Sequence, residues 1–539
     1  MPPDALREAL FARAVSEIPK LLTLLDRTPL SPTFGCFDRT YWHYRISDFP
    51  CGMSQEFVLP LALAWSIDRP DNPYFQSSAI RSWVEAGIRY AARSAHADGS
   101  CDDYFPFERA TGAAAFSLYA FLEAMILVEL EGNAETDRFL VQRGLWLGRH
   151  REPGELSNHE ALIVACLDRL GERYGRDRFE SLLCERLDRL LSWQSEEGWF
   201  SEYGGADIGY LSLTIGLLAD LDQRRPDLGL REPISSATRF LHEFVHPDGS
   251  VGGEYSSRAT LNFFPHGFEI AGTWLPEALA VNDQALSPLA KGCTPCYSDD
   301  RIVGHHLWSW LLAYRAFQFE RPKFQAPSDG RQWFPHAQLL IDRRDGAVLI
   351  AGLGRGGVFK LFRDQGLVVS DTGPSLKLKH NGRVAVTHLS GGATVRFDGE
   401  EIIVYGRLAW AKNTRLTPVK NVALRLLMLS FGRFYPNIVR RLLQRVLVTG
   451  RAEAPFSYLR VFRPIKGGWS VHDEIRPDRN WAQVEAIGIG GFQSSTTTVM
   501  ARVFSSEQLQ PWTALDDRLA ELRDNEPLTI DRQFGRDSC

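Results

Sequence analysis

A loop motif that returns four times in the first half of the chain constrains the fold more than any other sequence feature. The copies recur about every fifty residues, within the range of helical-hairpin repeats. They are Asp98-Gly99-Ser100, Glu152-Pro153-Gly154, Glu197-Gly198-Trp199 and Asp248-Gly249-Ser250. A hairpin of two helices cannot bury its apolar faces alone, so successive hairpins must stack as an open solenoid or a closed ring.

The segments around these loops carry apolar residues at helical spacing and contain no convincing strand. The predicted helices span residues 79–95, 110–131, 159–174, 179–194 and 210–222. Polar loops that all return to one rim favour the ring, an α/α toroid whose inner helices begin around one central cleft. An ordinary helical bundle is the alternative.

After the turn at residues 327–330 the pattern changes. Short β-branched or aromatic segments between glycine turns predict strands at 337–342, 347–353, 358–362, 367–370, 383–387, 401–405, 458–462 and 497–503. A chain of 539 residues also exceeds what one hydrophobic core usually serves. We therefore expect a multidomain α + β protein, with an α/α toroid in residues 1–325 and a large antiparallel β-sandwich in residues 326–539.

A basic segment interrupts the β pattern. Residues 402–451 contain no Asp or Glu but ten Lys or Arg residues. Two amphipathic helices are predicted there, at 422–431 and 438–448, as a helical insertion near 415–451. Such a pair can make peripheral contact with an anionic membrane through residues 407–451, or grip an acidic polymer. Alternatively, it packs on the sandwich and leaves a solvated basic face.

Charge and hydropathy limit the kinds of partner and the cellular compartments that we expect for this chain. The net charge of −5 is slight for this length and argues against a nucleic-acid partner. The first residues carry acids without an apolar core, unlike a secretory signal, and no stretch is long and apolar enough to span a bilayer. We expect a cytoplasmic protein, or one peripheral to the inner membrane.

The eight cysteines are scattered, which fits a reducing compartment. Cys166 and Cys184 lie in helical apolar patterns and are expected to be buried thiols. The Cys293-Thr294-Pro295-Cys296 motif has no second ligand pair at zinc-ribbon spacing and no thioredoxin-type surroundings. We interpret its cysteines as loop residues without a metal or redox role.

Candidate catalytic residues open two successive predicted helices, Asn158 and His159 on one and Tyr210 on the next. The proton beside a uronate carboxylate is weakly acidic, so an enzyme must neutralise that carboxylate and stabilise the developing charge. An amide and an imidazole at a helix start suit that task, and a phenol can exchange the proton. The alternatives are that Asn158 only caps its helix and that Tyr210 only packs.

At this point the sequence resembles a known family. Asn158-His159-Glu160, the loop at residues 197–200 and Tyr210 look like the catalytic toroid of heparinase II/III-like polysaccharide lyases and their alginate-lyase relatives. The β-rich part after residue 330 is similar to the sandwich of that family. The resemblance implies that Asn158 and His159 neutralise the substrate carboxylate and that Tyr210 is catalytic acid, base or both. Family members commonly carry a tyrosine-histidine pair here, whereas Leu211 follows Tyr210, so the relay partner stays open.

Neighbouring loops supply further candidates. His266 is a candidate to complete the proton relay. The candidate substrate-binding residues are Tyr104, Glu108, Arg109, Trp199, Tyr203, Arg258, Asn262, His305 and His306. At least one of the histidines is expected to be a packed core residue. No metal and no cofactor are expected, since the available sandwich residues lack the spacing of a site; these are His336, His380, His388 and Asp371.

The sequence therefore predicts a lyase-like enzyme that cleaves or modifies a uronate-containing acidic polysaccharide by C5 proton abstraction and β-elimination, and a role within polysaccharide biosynthesis. A non-catalytic glycan-binding or assembly protein on the same scaffold is one alternative, because the histidine after Tyr210 is missing. A terpene-cyclase-like toroid enzyme is another. Asp102-Asp103 is the paired aspartate that resembles a diphosphate site, but the fuller acidic signature is absent.

Overall fold

The computed structural model describes residues 2–293, 303–411, 417–444, 452–491, 509–520, 522–523 and 526–536. Among the described residues up to 316, the regular secondary structure is mainly helical. The helices are α1 (Pro3–Val15), α2 (Ile18–Leu24), α3 (Arg39–Trp42), α4 (Val58–Ser66), α5 (Ser78–Ser94), α6 (Thr111–Leu127), α7 (Ala134–Arg149), α8 (Ser157–Tyr174), α9 (Glu180–Leu191), α10 (Ile208–Arg224), α11 (Arg231–Glu243), α12 (His266–Ala271), α13 (Pro276–Leu286) and α14 (Val303–Ala316).

Within the described residues, six of these helices form a closed inner ring. Each of α4, α6, α8, α10 and α12 packs against the next, and α14 packs back against α4. Helices α1, α5, α7, α9, α11 and α13 pack outside them. The inner helices α6 and α10 are buried almost all round, whereas the outer helices α5 and α11 bury a single face. The predicted α/α toroid is confirmed.

The recurring loops connect an outer helix to the next inner helix. In two copies an aspartate fixes the turn, since Asp98 accepts from the Ser100 N–H at 3.0 Å and Asp248 from the Ser250 N–H at 2.9 Å. The glycine between them adopts a positive φ, +86° at Gly99. A Cβ on Gly99 would lie 2.5 Å from the backbone nitrogen of Arg143, so this close approach requires glycine.

The remainder of the chain is mainly strands. These are β1 (Gly330–Phe334), β2 (Leu339–Arg344), β3 (Ala347–Gly352), β4 (Val358–Arg363), β5 (Gly366–Asp371), β6 (Pro374–Leu378), β7 (Val384–Val386), β8 (Thr394–Asp398), β9 (Glu401–Trp410), β10 (Glu453–Ile465), β11 (Gly468–Pro477), β12 (Val484–Ile489), β13 (Thr513–Ala514) and β14 (Leu528–Phe534). Helices α15 (Pro418–Leu427), α16 (Pro436–Gln444) and α17 (Asp516–Leu519) interrupt them. The predicted strand at 497–503 lies outside the described residues.

The strands form two antiparallel sheets in the described part of the chain. One runs β1-β2-β3-β4-β5, and the other runs β13-β12-β6-β7-β9-β10-β11-β14 with β8 also paired to β9. Alternate residues of the first sheet face opposite ways. Leu339 and Ile341 join the core of the toroid, while Leu340 and Leu349 pack with the second sheet. The first sheet is therefore a middle layer, and the predicted sandwich is confirmed.

The middle sheet also holds loops of the toroid through polar contacts. Lys360 on β4 pairs with Glu254 at 2.8 Å, and the Arg355 guanidinium donates to the Ser256 carbonyl at 2.8 Å. Glu197, in a recurring loop, accepts from the His336 N–H at 2.8 Å. The sheet thus fixes the positions of loops that precede inner helices.

The basic insertion lies between β9 and β10 as a helical hairpin of α15, a π-helical turn at Met428–Gly432 and α16. It packs against the toroid: Arg425 pairs with Asp48, and Arg440 pairs with Glu152 at 3.0 Å. The expectation of a solvated basic face on the sandwich is therefore wrong for these two arginines. Several residues of the predicted insertion, at 412–416 and 445–451, lie outside the described residues.

Helix hydropathy and cysteine burial agree with the sequence in part. In the part of the chain that the structure describes, no helix is both long and apolar enough to cross a bilayer. Cys166 is buried as expected, but Cys184 is exposed, because it lies on the outward side of the outer helix α9. Residues 294–296 of the Cys-x-x-Cys motif are outside the described residues.

Candidate functional site

A buried carboxylate, Glu202, joins the start of α8 to the loop after α11. It accepts from the Asn158 amide at 2.9 Å and the Ser157 hydroxyl at 3.3 Å, and its other oxygen pairs with Arg258 at 3.0 Å. Burial raises the pKa of the Glu202 carboxyl against the opposing charge of Arg258. Glu202 therefore links two residues that the sequence placed a hundred positions apart.

Arg258 brings a positive charge to two tyrosine rings. Its guanidinium carbon lies 4.6 Å from the centre of the Tyr203 ring and 4.9 Å from that of Tyr210. All three side chains are largely buried. A charge acts more strongly in the protein interior than in bulk solvent. Arg258 therefore holds its positive charge against the rings of both tyrosines.

Asp207 fixes the geometry of this pair. It caps α10 by accepting from the Tyr210 N–H at 3.0 Å, and its second oxygen accepts from the Arg258 N–H at 3.1 Å. The same oxygen accepts from the Ser256 hydroxyl at 3.0 Å. One carboxylate therefore orients both the helix start that carries Tyr210 and the loop that carries Arg258.

Two buried amides near this cluster have unused hydrogen-bonding capacity. Among the described residues, no partner is found for the Asn158 Oδ1 atom or for either polar atom of the Asn262 side chain. Asn262 adjoins the start of α10, since its carbonyl oxygen lies 2.9 Å from the position of a Cβ on Gly209. Buried polar groups are usually paired, so these atoms are suited to hydrogen-bond a ligand.

Asn158 does not cap α8. The helix begins at Ser157, and the residue at the cap position, Leu156, makes no side-chain cap bond. The Asn158 amide instead reaches across to Glu202. The capping alternative is therefore not what the geometry supports.

A second chain of charges begins at His159. The His159 Nδ1 atom lies 2.8 Å from Glu152, whose other oxygen is 3.0 Å from Arg440, and Arg440 lies 3.6 Å from Glu108. Burial acts to raise the pKa of Glu152, but Arg440 and His159 outweigh it and lower that pKa to about 2. Burial and nearby Asp103 raise the pKa of Glu108 to about 7 despite Arg440. Arg440 thus neutralises Glu152 more completely than Glu108.

Arg440 reaches this position from the hairpin of the second domain, so sequence reasoning missed it as a site residue. The available signal was the acid-free basic segment, which was interpreted as a surface. Glu202 was missed too, although it lies in the loop that the resemblance singled out. Neither position has a local pattern that names its partner.

The structure does not bring three predicted histidines to this cluster. His266 is fully buried, with Nδ1 2.8 Å from the Ser309 hydroxyl, and burial lowers its pKa to about 4. His305 is bound by buried Glu56 at 2.9 Å, and His306 stacks on Phe264. These side chains lie in the wall of the ring.

Three other predicted residues have contacts elsewhere. Tyr104 is 68% exposed on the rim, and Arg109 pairs with Asp98 at 2.8 Å in a recurring loop. The Trp199 indole donates to Glu197 at 2.8 Å, the carboxylate that also holds β-domain backbone. Trp199 is thus positioned to support the domain interface.

The residues considered for a metal are either buried with other surroundings or exposed. Asp371 pairs with Arg460 at 3.1 Å, and burial lowers the pKa of His388 to about 3. His336 and His380 are exposed. Within the described residues no group of three or more potential ligands is placed to hold a metal ion.

A cavity of about 360 Å³ lies between the hairpin and the toroid. Arg425 and Leu429 of the hairpin line it together with Gln55, Phe107 and Arg143. It shares no lining residue with the Glu202 and Arg258 cluster. Its residues also lack a tyrosine, so the cluster is the better candidate for proton transfer.

Comparison with known proteins bears on the fold. The chain is similar in structure to the chondroitin AC lyase of Streptomyces coelicolor A3, solved with chondroitin sulphate, at 12% identity over 90% of this chain and 71% of that chain, with a TM-score of 0.51. A Paenibacillus xanthan lyase matches at 11% identity over 90% of this chain and 46% of its own, with a TM-score of 0.48. Heparinase III matches at 9% identity over 81% of this chain and 63% of its own, also with a TM-score of 0.48.

No family model matches the chain, and no curated protein matches it by sequence. The structural likeness to the chondroitin lyase extends over both the helical ring and the sheets, since it covers 90% of the chain. The chain therefore has the α/α-toroid and antiparallel-sheet fold of that polysaccharide lyase.

Proposed function

We propose that this chain cleaves a uronate-containing acidic polysaccharide by β-elimination at the cluster around Arg258. The observation that carries the proposal is the placement of one guanidinium over Tyr210 and against Glu202, which in turn holds Asn158. The tyrosine that the proposal assigns to proton transfer and the amide that it assigns to the substrate carboxylate both lie around this guanidinium, on a fold similar to that of a polysaccharide lyase.

In this proposal Asn158 and His159 neutralise the uronate carboxylate. Asn158 is fixed by Glu202, and His159 is fixed through Nδ1 by Glu152, with its ring beside Gly112 and 19% of its side chain exposed. Hydrogen bonds to the carboxylate stabilise the charge that develops when the adjacent proton leaves. Asn262 offers a further unpaired amide for sugar hydroxyls.

Tyr210 then acts first as base and next as acid. The phenolate takes the C5 proton, the C4–O bond breaks as the C4=C5 double bond forms, and the same proton can pass to the leaving glycosidic oxygen. In the proton-abstraction step the positive charge of Arg258, which lies against the ring, offsets the negative charge of the phenolate. This sequence needs no histidine at position 211, where the chain carries leucine.

The test is an assay on a panel of acidic polysaccharides, following the ultraviolet absorbance of the unsaturated uronate. We expect turnover of at least one substrate and loss of it in Tyr210→Phe, by about 10²-fold or more because general acid-base catalysis contributes at least that much. Tyr174→Phe is the matched control, since Tyr174 ends α8 far from its catalytic start and bonds Asp137. Full activity in Tyr210→Phe would refute the assignment.

Glycan binding without turnover is the second candidate function. It is favoured by Arg440, which already pairs with Glu152 and so supplies an internal cation beside His159. In that case the panel gives no unsaturated product, while calorimetric titration still detects binding. Binding should then weaken in Asn262→Ala.

A further inference from the structure

The helical hairpin carries an apolar surface that is exposed to solvent and is not packed against the rest of the described chain. Of the twenty-one large hydrophobic residues exposed in the described part of the chain, ten fall between residues 419 and 442. Leu429 lines the cavity against the toroid, and we call the other nine the apolar outer face: Val419, Val422, Leu426, Leu427, Phe431, Phe434, Tyr435, Ile438 and Leu442. A patch of this density marks an interaction site on most soluble proteins.

The opposite side of the hairpin is already occupied. Met428 and Val439 are buried, Arg425 pairs with Asp48, and Arg440 pairs with Glu152. Arg433 lies over the Phe107 ring at 5.7 Å. Because the inner side is anchored at several points, the outer face cannot be buried by a simple rotation of the hairpin onto the toroid.

The charges that border the outer face have one sign. Lys420 and Arg441 are exposed, and residues 402–452 contain no Asp or Glu. An apolar face edged with cations and carrying aromatic residues is the pattern of helices that lie in the interface of an anionic bilayer. Phe431, Phe434 and Tyr435 supply those aromatic side chains at the turn between the helices.

We propose that the hairpin α15–α16 docks the protein on an anionic membrane surface through the apolar outer face. The leucines and aromatic side chains enter the boundary between headgroups and acyl chains, and the bordering cations bind lipid phosphates. Because Arg440 on the inner side reaches Glu152 and Glu108, docking places the candidate site next to the lipid surface.

A second copy of the chain is a poorer occupant. A twofold dimer would set the same face against itself. Two hairpins without acidic residues would then bring like charges together, which opposes association. An anionic lipid surface complements both the apolar residues and the charge.

Vesicle flotation of the full chain tests the proposal without relying on enzymatic activity. We expect the protein to float with phosphatidylcholine vesicles that contain phosphatidylglycerol, less with phosphatidylcholine alone, and less at high salt. The double variant Leu426→Asp and Leu442→Asp should reduce the partition coefficient at least about tenfold. Lys420→Gln and Arg441→Gln should each reduce it by about fivefold.

Leu30→Asp is the matched control, since Leu30 is fully exposed outside the hairpin and should leave flotation unchanged. All variants should keep the thermal unfolding midpoint of the parent, because none of the substituted side chains is buried. Absence of flotation by the parent chain overturns the proposal. So does flotation that the double aspartate variant leaves unchanged, or a dimer that this variant dissociates when vesicles do not bind.

Discussion

Replacing the neutral amide of Asn158 with a carboxylate distinguishes its proposed role from a structural one. Its amide donates to Glu202 at 2.9 Å, and its Oδ1 atom has no partner among the described residues. Asn158→Asp would place a second carboxylate against Glu202 and against the substrate. We expect kcat/KM to fall by about 10²–10³, the typical cost of removing one preorganised donor. Steady-state assays on the best substrate of the panel measure this.

Asn133→Asp is the control for that experiment. Asn133 is a true cap, accepting from the Thr136 N–H at 2.9 Å at the start of α7. Asparagine and aspartate cap helices about equally well, so this variant should keep both activity and stability. Equal kcat/KM for Asn158→Asp and the parent chain would exclude charge neutralisation by Asn158.

Glu108 makes stability depend on pH in a defined window. Burial raises its pKa from 4.5 to about 7, so between these values the folded chain retains a proton that the unfolded chain releases. The stabilisation of the folded state that comes from this retained proton is complete below pH 4.5 and is lost as pH rises to about 7. Glu108→Gln should remove it. Urea unfolding at the two ends of the window should show a difference between parent and variant that changes by roughly 1–3 kcal/mol.

Residue types and order in the sequence were enough to find part of the cluster. Asn158, Tyr203, Tyr210 and Arg258 were predicted and do meet, because each belongs to a loop or helix start at the same end of the ring. Glu202 and Arg440 act through partners far away in sequence, and one sequence alone carries no signal for such pairs. In the sequence, a charged residue at either position is also what an ordinary solvent-exposed surface would carry.

At the scale of elements, the position of α12 explains why His266 departs from the site. A rise of about 1.5 Å per residue places Gly216 roughly 12 Å beyond the start of α10. The His266 ring packs beside Gly216, so α12 begins deep in the ring and not at its end. Periodicity locates a helix along the chain but not its depth in the assembly, and this offset was therefore not predictable.

Close contact between α10 and α12 gives a sharp prediction. A Cβ on Gly267 would lie 2.2 Å from the Gly216 Cα, a backbone atom that cannot rotate away. Gly267→Ala should therefore destabilise the protein by about 1–3 kcal/mol, despite the better helix propensity of alanine. A drop in the thermal unfolding midpoint reports it.

Gly171→Ala supplies the comparison within α8. The same Cβ there would meet atoms no closer than 3.4 Å, an ordinary contact. Here propensity should dominate, and stability should stay level or rise by up to about 1 kcal/mol. If both variants shift the midpoint equally, the tight packing of α10 on α12 is not present in solution.

At the scale of the whole molecule, the order of ring and sandwich followed from the change of hydrophobic period near residue 330. The predicted strands 347–353 and 358–362 correspond closely to β3 and β4. The three-layer arrangement did not follow, because a strand buried on both faces shows no alternation of apolar and polar residues. The hairpin's attachment to the toroid was equally hidden, since its arginines look the same in sequence whether they face water or Glu152.

The contact between the middle sheet and the toroid holds the loop that carries Arg258. A buried ion pair between Lys360 and Glu254 belongs to this contact. Lys360 is 3% exposed and lies 2.8 Å from Glu254, which is itself buried. Lys360→Met leaves that carboxylate without its cation, at a cost of roughly 3–5 kcal/mol. We expect a lower unfolding midpoint and, because the loop at residues 253–258 loosens, a lower kcat.

Lys377→Met separates this effect from the loss of any lysine on the sheets. Lys377 pairs with Glu485 at 2.9 Å, but both side chains are about half exposed, at 47% and 45%. An exposed pair contributes at most about 1 kcal/mol, so this variant should stay close to the parent in both measurements. Should Lys360→Met behave like Lys377→Met, the middle sheet would not be what positions Arg258, and the loop would have to be held from within the toroid by Asp207 and Glu202.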